Sequence, residues 1–202
     1  TVNGKTVKSN YKIRPGEEIF LYSEKETSGE EIIPEELPLD IFYEDDSILL
    51  INKPAGMVVH PGSGNPSGTL INGVAWHLKK FNAALNEEEL PRFGLVHRID
   101  KNTSGLLVLS KTPGAVASLA KQFFNHTISR RYTALVWGNV EKDAGTIIAH
   151  IGRHKRFRKQ FDAYPEGDYG KEAITHYEVI ERMGYVTLVS CRLETGRTHQ
   201  IR

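Results

Sequence analysis

Residues 94–111 read GLVHRIDKNTSGLLVLSK. Asp100 follows Arg98 by two positions and stands ahead of the apolar run Leu106–Leu109, which has strand character. A carboxylate at the mouth of a buried strand has three uses. It caps a turn, as Asp does before Asn102-Thr103-Ser104. It pairs with Arg98. Or it does chemistry, as a base or a nucleophile. A two-carboxylate glycosidase would need a second acid nearby, and only Glu194 is a weak candidate.

A second group of reactive types is the run Arg153-His154-Lys155-Arg156-Phe157-Arg158-Lys159, five full positive charges with an aromatic inside. It falls between two predicted strands, so it is expected as an exposed loop. Cations grip phosphates and the ring stacks on a base; the alternative is a solvated hairpin tip. The loop Gly62-Ser63-Gly64-Asn65-Pro66-Ser67-Gly68 lacks the spacing of a dinucleotide or P-loop cradle and reads as a surface loop. The eight histidines are scattered and Cys191 is the lone cysteine, so no metal is expected.

The elements that must position these groups come next. Short strands are expected at Tyr11–Ile13 and Glu18–Tyr22, then at Ile41–Tyr43, Ile48–Asn52 and Met57–His60. Thr69 can cap a helix to about Lys80, with Leu70, Val74, His77 and Leu78 at helical spacing. Residues 106–110 read as a strand, and Pro113 to Asn125 as a helix opened by proline. After that strands dominate: Tyr132–Trp137, Thr146–Ile151, Ala173–Ile180 and Val186–Leu193. Strands in runs, not in alternation with helices, predict an α+β fold with a largely antiparallel sheet.

The chain of 202 residues, 39% hydrophobic, suffices for one real core. No apolar stretch approaches the roughly 20 residues that span a bilayer. One cysteine and no leader pattern point to the cytoplasm, with no membrane partner. The net charge of +1 hides a gradient: residues 1–40 hold 5 basic and 9 acidic side chains, 41–90 hold 3 and 6, and 91–202 hold 18 and 10. The basic half contains Asp100, which suggests an anionic partner such as nucleic acid. Three units are expected: 1–22, the tail of a small module; 23–38, an acidic, extended and solvated linker; and 39–202, the main domain.

The segment His97-Arg98-Ile99-Asp100-Lys101-Asn102-Thr103-Ser104-Gly105-Leu106-Leu107 resembles the signature of the pseudouridine synthases that modify large-subunit ribosomal RNA, with Ile99 for Leu the one departure. Asn52-Lys53-Pro54-Ala55-Gly56-Met57-Val58-Val59-His60-Pro61 is similar to that family's first motif. Arg131-Tyr132-Thr133-Ala134 resembles its tyrosine strand, and Gly196-Arg197-Thr198-His199-Gln200-Ile201-Arg202 its final motif. The front piece, Val2 to Ile19, resembles the end of an S4-like RNA-binding domain.

The resemblance implies a pseudouridine synthase fold, a largely antiparallel mixed sheet with flanking helices. It also implies isomerisation of uridine to pseudouridine in RNA without a cofactor. Ribosomal RNA is the first candidate substrate and transfer RNA the second; no obligate protein partner is implied. A catalytically dead RNA-binding protein is the alternative from another class. By resemblance Asp100 carries the chemistry, Arg202 keeps its carboxylate ionised, and Tyr132 stacks on the flipped uracil. Arg98 enters the space the base leaves, Lys53 and His60 line the RNA groove, and Arg153, Lys155, Arg156, Arg158 and Lys159 hold phosphates. Gly105 serves backbone geometry. Family members continue past the final motif, so the catalytic domain is expected to continue beyond Arg202.

Overall fold

Alternating apolar residues make Ile48–Lys53 and Gly105–Ser110 strands with one buried face, and the two pair at the centre of the first sheet. The computed structural model describes residues 2–7, 11–20, 31–62, 64–157, 159–165 and 167–202. Strands β1 (Ile41–Glu44), β2 (Ile48–Lys53) and β3 (Gly105–Ser110) form an antiparallel sheet in that order. Helix α1 (Leu70–Lys79) covers it, and Leu49, Ile51, Leu107 and Leu109 meet Leu70, Ile71 and Val74 in a solvent-free core. Helix α2 (Pro113–Phe124) starts at Thr112, whose hydroxyl accepts from the Ala115 N–H at 3.2 Å. A second antiparallel sheet is built from β4 (Arg131–Trp137), β5 (Ala144–Arg153), β6 (Phe161–Tyr164), β7 (Lys171–Arg182) and β8 (Val186–Leu193), in the order β4-β8-β7-β5-β6. The α+β expectation holds. Among the described residues no helix is long and apolar enough to cross a membrane.

Three local expectations are corrected. Met57–His60 is not a strand; the Val58 and Val59 carbonyls accept the Leu70 and Ile71 N–H groups at 2.8 and 3.0 Å and satisfy the first donors of α1. The linker is not wholly solvated. Residues 23–30 lie outside the described residues, but Ile32 is buried and the Ile33 carbonyl accepts from the buried Asn72 side chain at 2.8 Å. The Gly68 N–H donates to the Glu35 carboxylate at 3.0 Å. This strap lies against α1 where Gly73 leaves room: a Cβ there would sit 3.1 Å from Leu39 Cδ2. Glu31 and Glu36 face water, while Ile32 is buried and Leu39 packs against the core. Finally, β6 was not expected; its four residues are too few for a pattern, and it exists because β5 offers it an edge.

At the front, Val2 bridges Lys5 and Ile19, and the Asn3 side chain accepts from the Glu18 N–H at 2.9 Å. No strand longer than a bridge forms at 11–13 or 18–20, and Tyr22 lies outside the described residues.

Candidate active site

The register of β2 and β3 places Lys53 opposite Gly105, so the turn after β2 abuts the turn before β3. Lys53 locks them together. Its side chain is fully buried, and Nζ donates to the Pro54, Met57 and Lys101 carbonyls at 2.8, 2.9 and 3.0 Å. The Gly56 N–H also donates to the Lys101 carbonyl, at 2.8 Å. All three ammonium hydrogens are used, so Lys53 does not line an RNA groove as expected; it builds the loop that carries Asp100. Burial lowers its pKa, and the Asp100 charge counters that.

Upstream of Asp100 the chain runs along the free edge of β3, where Leu95 bridges Leu109. It enters through three consecutive left-handed residues, Arg92, Phe93 and Gly94, with φ of 50, 47 and 77°. Phe93 is buried and anchors this strained turn. His97 then accepts the Val108 N–H on Nε2 at 3.1 Å and stacks on Phe123 of α2, with ring centroids 4.4 Å apart. Burial first, and the charge of Arg130 second, push its pKa down to about 4. The ring is therefore neutral at pH 7 and acts as an acceptor for an edge N–H that no strand covers. Arg98 is exposed and Ile99 is in the core, as the alternation requires. Asp100 is half-buried; its carboxylate makes no hydrogen bond or ion pair with any described residue, while its carbonyl accepts from the Thr103 N–H at 3.1 Å.

Tyr132 comes from the second sheet and leans on the core of the first. Burial raises its pKa; the Arg130 charge lowers it and the Asp100 charge raises it. The two residues thus share one electrostatic neighbourhood. Arg130 belongs to it as well, although the sequence reading passed it over. Its guanidinium lies 5.7 Å from the Phe123 ring, a Cβ on Gly196 would sit 3.1 Å from its Nη1, and its Nε is buried without a hydrogen-bond partner. The available signal was its position two before Tyr132, the spacing of one strand face.

The final motif is strapped to the start of β7. Gln200 accepts from the Thr195 hydroxyl and the Arg197 N–H, both at 2.9 Å, and donates to the Ile174 carbonyl at 3.1 Å. Arg197 Nε donates to the Glu172 carbonyl at 2.8 Å. Arg202 lies past this strap, exposed, and no ion pair joins it to Asp100. The expected charge-assisted bond is not formed here; the Arg202 N–H donates to the His199 carbonyl at 3.0 Å. Glu194 bonds His176 and offers Asp100 no second acid. His60 is half-buried; Nδ1 donates to the Pro61 carbonyl at 2.9 Å and Nε2 is buried without a partner. An open cleft of about 640 Å³ borders Arg130, Arg192 and Arg197; neither Asp100 nor Tyr132 lines it.

The basic run follows β5. Arg153 lies 5.2 Å over the ring of Phe161, and Arg156 lies 5.4 Å over Phe157. Lys155 pairs with Asp168 at 3.1 Å and faces Tyr164 and Tyr169 at 5.2 and 5.8 Å. Lys159 is exposed, and Arg158 lies outside the described residues.

A family model described as RNA pseudouridylate synthase matches residues 47–202. An uncharacterized RNA pseudouridine synthase, YlyB, of Bacillus subtilis (strain 168) is 47% identical over 201 residues, 100% of this chain and 64% of the relative. A ribosomal large subunit pseudouridine synthase D of Nitrosomonas europaea is 44% identical over 191 residues, 95% of this chain and 53% of the relative. The solved structure of human RNA Pseudouridylate Synthase Domain Containing 1 shares the fold with a TM-score of 0.64 at 24% identity, over 82% of this chain and 63% of that one. The chain thus spans between half and two thirds of the length of these relatives.

Proposed function

Since the chain belongs to the RNA pseudouridylate synthase family, we propose that it isomerises uridine to pseudouridine in large-subunit ribosomal RNA. The substrate follows the relatives named ribosomal large subunit pseudouridine synthase D, at 41% identity and above. Its place of action would then be the cytoplasm. In the reaction the N1–C1′ bond breaks, the uracil turns, C5 bonds to C1′, and the C5 proton is lost as N1 gains one. Asp100 is assigned the attack on C1′ or the removal of the C2′ proton. The observation that carries this is a half-buried carboxylate left without a hydrogen bond or ion pair, on a turn fixed by the buried Lys53. Its oxygens are therefore left to solvent or to a bound substrate.

Tyr132 is assigned to stack on the flipped uracil, its raised pKa keeping the hydroxyl protonated. Arg98 enters the vacated space. Arg202 is assigned to meet the Asp100 carboxylate once RNA is bound. The front piece at 1–22 is assigned to RNA docking, as an S4-like remnant.

The test uses the full-length enzyme and ribosomal RNA carrying tritium on C5 of uridine. Wild type is expected to release tritium. Asp100→Asn should release none while binding the RNA as before, because shape is kept and charge is lost. Release from the Asn variant at the wild-type rate would remove Asp100 from the chemistry, and no release by wild type from any RNA would refute the activity.

A further inference from the structure

Arg130 stands just ahead of β4 and carries a guanidinium that the fold does not use. The residue is half-buried, its Nε is buried without a hydrogen-bond partner, and its Nη groups make no hydrogen bond or ion pair with any described residue. Arg182, by contrast, donates to the Val140 and Glu141 carbonyls and pairs with Asp143. The Arg130 guanidinium is bounded by the Phe123 ring at 5.7 Å and by Gly196, where an added Cβ would lie 3.1 Å from Nη1. A contact with an aromatic ring leaves the N–H donors unused. The surroundings say what class of ligand suits them. The cleft of about 640 Å³ lies where β4 begins and β8 ends, and Arg130, Arg192 and Arg197 border it together with His126, Glu172 and Glu194. Glu194 already holds His176, and Arg197 Nε already donates to the Glu172 carbonyl. Full positive charges outnumber negative ones, so the cleft favours an anion. Arg130 also adjoins the candidate active site. Two residues separate it from Tyr132, which puts their Cα atoms within about 7.6 Å. Its charge acts on the Tyr132 hydroxyl alongside that of Asp100.

We propose that Arg130 is a substrate-positioning residue whose guanidinium binds a backbone phosphate of the RNA strand beside the uridine that Tyr132 receives. The inference rests on the reading of this protein as an RNA-modifying enzyme and adds a residue to it. Flipping turns a nucleotide about its own backbone, and a phosphate clamped next to Tyr132 fixes the pivot of that turn. The planar fork of an arginine matches phosphate oxygens, and a charge-assisted bond would use donors that the fold leaves over. Arg192 and Arg197 add to the field that draws the strand into the cleft.

The test uses the full-length enzyme with decauridylate, with its uncharged methylphosphonate analogue, and with large-subunit ribosomal RNA carrying tritium on C5 of uridine. Arg130→Met keeps an unbranched stem and removes the charge. It should bind decauridylate roughly 10- to 100-fold more weakly, the effect of losing a charge-assisted contact. The slope of log K against log salt should fall by about 0.7, one phosphate contact on a single strand. The uncharged analogue should bind both proteins alike. In tritium release KM should rise with kcat unchanged, as for a contact made equally in the ground state and the transition state. Arg130→Lys keeps the charge and should restore the wild-type slope. An unchanged slope in the Met variant, an equal loss with the uncharged analogue, or a kcat that falls while KM stays overturns the assignment. A Met variant that does not fold also overturns it, because Arg130 would then serve the fold. Wild type that releases no tritium from ribosomal RNA, while the Met variant still loses affinity and slope, would sink the activity and leave the phosphate site standing.

Discussion

Lys53 illustrates how a charged residue serves chemistry without touching the substrate. Its ammonium replaces water for three carbonyls that belong to two different turns, and those turns carry Asp100. Lys53→Met keeps the aliphatic stem and leaves three buried acceptors unsatisfied. It should lower the unfolding free energy by on the order of 3 kcal/mol and leave the salt dependence of RNA binding unchanged. Denaturant melts and salt titrations of the full-length protein check both. His97 gives a pH prediction. Its folded pKa of about 4 lies below the ordinary 6.5, so between those values the unfolded chain binds the extra proton. The stabilisation is complete above about pH 6.5 and is lost as pH falls toward 4. Wild type should lose stability relative to His97→Gln across that window, by no more than about 1.4 kcal/mol per pH unit. Denaturant melts of both at pH 7.5, 5.5 and 4.5 measure it; a constant difference would show that His97 is not buried neutral.

At the scale of elements, two glycines flank the Asp100 loop and do different things. Gly94 has φ 77°, and a Cβ there would sit 1.8 Å from the Ser110 carbonyl oxygen, so the chain passes against the end of β3 with no room for a side chain. Gly105 has φ 122° with nothing within 4 Å of a Cβ. Gly105→Ala should therefore cost only backbone strain, about 1–3 kcal/mol. Gly94→Ala must also displace the loop from β3, so it should cost more and cut catalysis in the protein that still folds. Thermal melts together with tritium release separate the two. Helix α1 is likewise fixed from outside itself: Asn72 reaches the Ile33 carbonyl, which ties the helix to the strap at 31–38.

Over the whole molecule, the charge gradient is the feature with a measurable consequence. Residues 91–202 carry 18 basic and 10 acidic side chains, and Asp100, Arg130 and Tyr132 all belong to that segment. Neutralising Arg156, Arg158 and Lys159 together should reduce the slope of log K against log salt by about 2 to 3, at roughly 0.7 to 0.9 for each phosphate contact. Lys155 is left out because it already holds Asp168. An unchanged slope would mean that the run is a solvated hairpin tip.

The sequence by itself determined the strands with strong alternation, both helices, the α+β class and the motif order from Lys53 to Arg202, because periodicity and local spacing are written along the chain. It could not determine what crosses between segments. Lys53 and Lys101 are 48 positions apart, and only the pairing of β2 with β3 makes one the cage of the other. Arg130 and Gly196 meet because β4 and β8 are neighbours, and Phe161 meets His199 because the Gln200 strap crosses the sheet. A lysine in a motif reads as an RNA contact until burial shows its hydrogens spent on carbonyls. Burial and partnership arise from strand register and sheet order, which are long-range properties, and that is why the tertiary structure alone assigned them.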